Sequence, residues 1–154
     1  MNETRSSLII KALSAYREEK QTRTETIEFR GTARTFEVVT ISPEVPLLNP
    51  SNSRLRAQLL SHPRASVVKS DPSSPEAQQI LSSLLAGTEK FEALKQQILD
   101  FKQQEPGIIS RDGLLVNGNT RLTAIRELGL PGFDVAVLPE DATDEDKRNI
   151  AKMI

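Results

Sequence analysis

No cysteine and no tryptophan occur among the 154 residues, and there is one tyrosine and one histidine. Without thiols there is no disulfide, no thiolate metal site and no cysteine nucleophile, and cysteine usage leaves the compartment open. The single histidine, His62, precedes a proline in a polar stretch and has no second histidine or cysteine with which to build a metal site. No Ser/His/Asp constellation is proposed either. Aromatic residues make up 4% of the chain, so the core must be built from Leu, Ile and Val. Charge of one sign is also missing: the formal net charge is -1, which argues against wholesale binding of polyanions over the whole surface. Long apolar runs are absent. The run Leu8 to Ala15 is broken by Lys11 and Ser14 and is too short and polar for a membrane span or a signal segment. The expectation is a cytoplasmic protein without a membrane association. The length suits one domain with one core, and no internal repeat is visible.

What is present divides into helical and strand patterns. Ile9, Leu13 and Tyr16 share a face, predicting a helix over 5–19. Residues 26–29 and 35–41 alternate and are β-branched, with Gly31-Thr32-Ala33 between them, which predicts a hairpin. Pro43, Pro46 and Pro50 enforce an extended segment, followed by a short helix at 55–60. The stretch 61–75, with three prolines and five serines, reads as a surface insertion without a packed element. Pro75 opens a helix that closes at Gly87. A second helix follows, with Phe91, Leu94, Ile98 and Phe101 on one side and Pro106 as its stop. Short strands at 107–110 and 114–116 flank the Arg111-Asp112-Gly113 turn. A helix over 120–128 stops at Gly129, and a buried strand occupies 133–138. Thr143 is the expected N-cap of a last helix, with Asp144, Glu145 and Asp146 matching the helix dipole in its first turn. That helix reaches Ile154 without a stop signal, so the natural chain is expected to continue. Mixed helices and neighbouring hairpins predict an α+β class with a small mixed sheet and flanking helices.

The junction LLVNGNTRLTAIRELGL (114–130) raises a chemical question. A strand turning sharply into a helix gathers free N–H groups at the positive end of the helix dipole. Gly118 allows the tight turn and a close approach to the backbone; Asn117 or Asn119 can cap the helix; Thr120 adds a hydroxyl. Arg121 in the first turn opposes the dipole unless an anion pairs with it. One reading is a phosphate site at Asn117, Gly118, Asn119, Thr120 and Arg121. The other is an ordinary Asn-Gly turn, with Arg121 facing solvent or pairing with Glu127 or Asp112. The motif alone leaves both open.

Beyond the motif, DGLLVNGNTRLTAIRELGLPGFDVAVLP resembles the ParB/sulfiredoxin-like domain family. In that family a strand leads into Gly-x-x-Arg, which opens a helix; ParB proteins have Gly-Glu-Arg-Arg there and sulfiredoxin Gly-Cys-His-Arg. This chain has Gly118-Asn119-Thr120-Arg121. LLNPSNSR resembles the ParB stretch Asn-Pro-x-x-x-Arg, FEALKQQILDFKQQEPGIIS resembles the family's preceding helix and strand, and PEDATDEDKRNIAKMI resembles the following linker and helix. The likeness covers about 36–154, with 61–75 as an extra, and leaves 1–35 as an N-terminal helix and the start of the hairpin. It implies a nucleoside triphosphate (CTP or ATP) with Mg2+, phosphates at Gly118 and Arg121, and Arg54 near the nucleotide or a DNA-binding surface. It also implies a DNA-associated partition or transcription regulator, in which nucleotide binding shifts conformation or a homodimer state; the alternative is a ParB-like nuclease or a nucleotide-dependent phosphotransferase. Asn119 and Thr120 replace a carboxylate and a cation of the ParB loop, and the missing cysteine excludes sulfiredoxin chemistry.

Two charge clusters remain. Between Val45 and Ser70 there is no acid, while Arg54, Arg56, Arg64 and Lys69 are basic. This is a patch for phosphate or a solvated loop, and outside Arg54 the solvated loop is preferred. The acids at 140–141 and 144–146 read as a helix start rather than a Mg2+ site, so no metal ligand set is assigned. Asp112 is the acid nearest the junction and the candidate general base if the domain is an enzyme.

Overall fold

The computed structural model describes residues 4–51 and 55–152. Helix α1 (Arg5–Glu18) starts at Thr4, whose side chain accepts from the Ser7 N–H, and buries Ile9, Leu13 and Tyr16. Strands β1 (Thr24–Phe29) and β2 (Thr32–Ile41) form an antiparallel hairpin with Phe29 opposite Thr32. Its loop is two residues, Arg30 and Gly31, both at positive φ (54° and 83°). That is the primed-turn geometry that matches strand twist, so β2 extends through Thr32 and Ala33, which the sequence had put in the turn. The prolines keep 43–50 out of regular structure, although Leu47 makes a parallel bridge to Leu114.

Helices α2 (Arg56–Leu60), α3 (Ala65–Ser70), α4 (Pro75–Ala86) and α5 (Phe91–Phe101) follow. Helix α3 corrects the expectation of an unpacked insertion at 61–75: Val68 is 1% exposed and anchors it in the core. Helix α5 ends at Phe101, where Lys102 takes φ 64°, well before Pro106. Phe101 itself is 66% exposed, so the apolar face of α5 is shorter than its spacing suggests.

Strands β3 (Gly107–Ile109) and β4 (Leu115–Asn117), helix α6 (Asn119–Glu127), strand β5 (Phe133–Val137) and helix α7 (Asp144–Ala151) complete the chain. The five-stranded sheet has the order β1-β2-β5-β3-β4. Only β3 and β5 are parallel; the other pairs are antiparallel. The class is α+β with a mixed sheet and flanking helices, as expected. The boundary drawn at 35/36 falls inside β2, and α1 shares the main core with the rest of the chain. Strand β5 is covered on both sides: Phe133, Val135 and Val137 face the cluster containing α1, α4, α5 and α6, whereas Ala136 joins Ile150 of α7 on the other face. No helix among the described residues is long and apolar enough to cross a membrane.

Candidate functional site

Helix α6 springs from Gly118, which sits at φ 97° in the left-handed region and serves as N-cap without a side-chain cap. A Cβ at this position would stand 3.0 Å from the Gly107 Cα and 3.2 Å from an Arg121 guanidinium nitrogen. Glycine is therefore required by the fold, quite apart from any ligand. Asn119 is 1% exposed: its Oδ1 accepts from the Asn49 N–H at 2.8 Å and its Nδ2 donates to the Leu115 carbonyl at 3.0 Å. Its amide thus joins the extended segment to β4. Arg121 folds back toward the start of β3, donating to the Pro106 carbonyl and to Glu105 Oε2, each at 3.3 Å. Glu105 is thus a partner that the sequence, which offered Glu127 or Asp112, did not point to. Thr120 is 9% exposed and faces a recess of about 470 Å³ between α5 and α6. Asn117 ends β4 half-buried. Arg54 lies outside the described residues.

The segment 43–51 cannot join the sheet as a regular strand, so side chains satisfy its backbone. Arg126 on α6 donates to the carbonyls of Pro43 and Pro46, both at 2.8 Å, and burial pulls its guanidinium below the usual arginine range. Gln78 on α4 accepts from the Leu48 N–H at 2.8 Å and returns a bond to the Leu48 carbonyl at 3.1 Å. Asn119 and Arg126 stand two helical turns apart on one face of α6. Together they hold this segment against the helix. None of the three was singled out for this role from sequence, because the partners are backbone groups far away in the chain.

The segment so held forms one wall of a cavity of about 670 Å³. Asn49, Pro50 and Ser51 line it on this side, Arg56 and Lys69 come from α2 and α3, and Lys147, Arg148 and Lys152 come from α7 and its C-cap. Five cations thus face it against one lining carboxylate, Asp144. Lys147 pairs with Asp112 at 3.6 Å and with Asp144 at 4.0 Å. Arg56, Lys69, Arg148 and Lys152 have no ion pair among the described residues. Like charges gathered at one concavity repel one another, and an anion removes that cost. Arg56 and Lys69 stand in short helices rather than in a loop, and both line this cavity. Arg64 instead pairs with Glu76. The cations of α7 were not singled out from sequence; their signal is the i, i+4 pair Arg148 and Lys152, with Lys147 beside it on the same helical face.

The acids have structural work. Asp146 closes a capping box with Thr143 and accepts from Arg30, and these bonds hold its carboxyl at about 2. Asp112 is partly buried, which pushes its carboxyl up, but the Ser110 hydroxyl and the charge of Lys147 outweigh this and hold it below the ordinary range. His62 accepts from the Arg64 N–H at 3.0 Å in a local turn. Among the described residues no group of three or more His, Cys, Asp or Glu side chains is placed to hold a metal ion.

No protein-family profile matches the chain, and no curated protein matches it. Among solved structures it is similar to a Pnob8-like ParB-N domain, at 16% sequence identity and a TM-score of 0.41. The likeness covers 67% of this chain and 29% of that one, so the chain matches less than a third of the length of that relative.

Proposed function

We propose that this domain binds a nucleoside polyphosphate, CTP or ATP carried with Mg2+, and places its phosphates in the basic cavity between the Asn49–Ser51 wall and α7. One observation carries the reading: four cations without ion pairs among the described residues, with Lys147 beside them, converge on one concavity of a chain whose net charge is -1. The wall of that cavity is bonded to the first residue of α6, which fixes its position. In this arrangement Gly118 and Asn119 build the site, and the cations of α2, α3 and α7 supply the charge. Arg121 takes part through the Glu105 and Pro106 contacts that hold the turn. The sequence resemblance adds the role of a nucleotide-controlled switch, with a homodimer and a DNA-associated regulator as its setting.

The test is calorimetry with CTP, ATP and GTP in Mg2+. Binding is expected for at least one of them and should weaken as salt is raised. Arg148→Ala or Lys152→Ala should each reduce affinity about tenfold, the value of one charge-assisted contact. Unchanged affinity in the double variant would remove the cavity from consideration. Asp112, engaged by Ser110 and Lys147, is assigned no role as a base; Asp112→Ala should bind nucleotide as the parent does.

A further inference from the structure

We propose that strand β1 is a docking edge for a second copy of this chain, the two strands pairing antiparallel about a two-fold axis at Thr26. The proposal is independent of the polyphosphate reading, and its test contains no nucleotide. Strand β1 ends the sheet. The Val38 N–H donates to the Arg23 carbonyl at 3.0 Å, so Arg23 and Val38 form a hydrogen-bonded pair. The bonds of an antiparallel ladder alternate, and the register carries the same pairing to Glu25, Ile27 and Phe29. The N–H and C=O groups of Thr24, Thr26 and Glu28 therefore point away from β2. All three residues are exposed, and among the described residues nothing pairs with their outward backbone groups.

A free sheet edge templates the pairing of another strand, and proteins blunt such edges with proline, lysine, bulges or brevity. Strand β1 has none of these: it is six residues long, in unbroken register, without Pro, Gly, Lys or Arg. The opposite edge differs. Strand β4 has three residues, and Leu47 closes its start with bonds to Gly113 and Leu115. The side chains of β1 select the occupant. With Thr26 on the axis, Thr24 faces Glu28 of the second copy, Glu25 faces Ile27, and Thr26 faces its own equivalent. No acid stands directly opposite an acid, each Glu28 carboxylate lies beside a Thr24 hydroxyl that can donate to it, and cross-strand threonine pairs are favourable. Registers centred on Glu25 or Glu28 set like charges opposite each other, and one centred on Ile27 leaves Thr24 against the Arg30 turn. The Thr26 register alone uses all three outward backbone pairs of both copies. A foreign strand would have to match this order of threonine, acid and apolar residue, which the second copy brings with it. The interface is one strand wide, so the dimer is weak and concentration-dependent.

The experiment is sedimentation equilibrium on the chain alone, from micromolar to near-millimolar concentration. The parent should pass from monomer to dimer over this range. Thr26→Pro should raise the dissociation constant at least about tenfold. Because the Thr26 N–H faces outward, proline there removes no bond of the fold, which thermal unfolding verifies. Thr26→Lys keeps the backbone N–H, sets like charges on the axis and should weaken the dimer as much. The register has its own readout. The chain has no cysteine, and hydrogen-bonded antiparallel partners have Cα atoms about 5.5 Å apart, within disulfide reach. Thr26→Cys should therefore cross-link two copies under mild oxidation, whereas Thr35→Cys, exposed one strand inward, should not. A parent that stays monomeric throughout, or a dimer that survives both Thr26→Pro and Thr26→Lys, overturns the proposal. Cross-linking through Thr35→Cys equal to that through Thr26→Cys overturns it as well.

Discussion

Gly118 and Arg126 show how single residues set the geometry on which the rest depends. At φ 97°, with the Gly107 Cα 3.0 Å from an added Cβ, residue 118 takes a side chain only under strain. Gly118→Ala should cost about 2 kcal/mol, from the left-handed backbone and the displaced β3, measured as a shift in the urea midpoint. Arg126 works through reach: its guanidinium bonds two proline carbonyls that no strand can serve. Arg126→Ala removes both bonds to a charged donor and should destabilise by roughly 2 to 3 kcal/mol. It should also weaken nucleotide binding, since the cavity wall it holds would loosen. Gly118 was legible as a turn residue from the Asn-Gly pair. Arg126 was not, because a basic residue late in a helix reads equally well as a surface cation complementing the dipole.

Helix α7 is the element that joins stability to the proposed site. Its N-terminus is fastened by the Thr143/Asp146 capping box and by Arg30, which reaches across from the β1–β2 turn. Thr143→Ala should cost about 1 kcal/mol, the usual value of a lost cap. Asp146 gives the helix a pH dependence. Its carboxyl titrates at about 2 in the fold against an ordinary 3.8, so it stabilises the folded state fully above the ordinary value, and that contribution is lost as pH falls toward 2. Urea midpoints measured between neutral pH and pH 2 should fall less steeply in Asp146→Asn than in the parent. Three acids at the start of α7 made its N-terminus plain in the sequence. Its opposite character along one face, Lys147, Arg148 and Lys152, gains meaning only once α2, α3 and the Asn49–Ser51 wall stand opposite.

Across the whole molecule, the sheet distributes apolar residues to two faces, and β5 is the strand buried on both. Phe133 is fully buried at its start, and Phe133→Ala should cost roughly 3 to 5 kcal/mol and lower the thermal midpoint of the whole domain. Helix and strand positions were largely readable, since periodicities of 3.6 and 2 and the Gly, Pro and Thr boundaries are local properties of the chain. The departures have local causes too. The hairpin loop closed to Arg30-Gly31 because a two-residue primed turn matches strand twist, and a helix formed at 65–70 because Val68 found the core.

The amino-acid sequence alone determined the α+β class, the order of elements and the Gly118 turn into α6, because each follows from spacing and backbone preference among near neighbours. The tertiary structure decided which cations face one another and which carbonyls Arg126 and Gln78 serve. These depend on distances between residues tens of positions apart, and the chain fixes such distances only when the sheet and its helices pack.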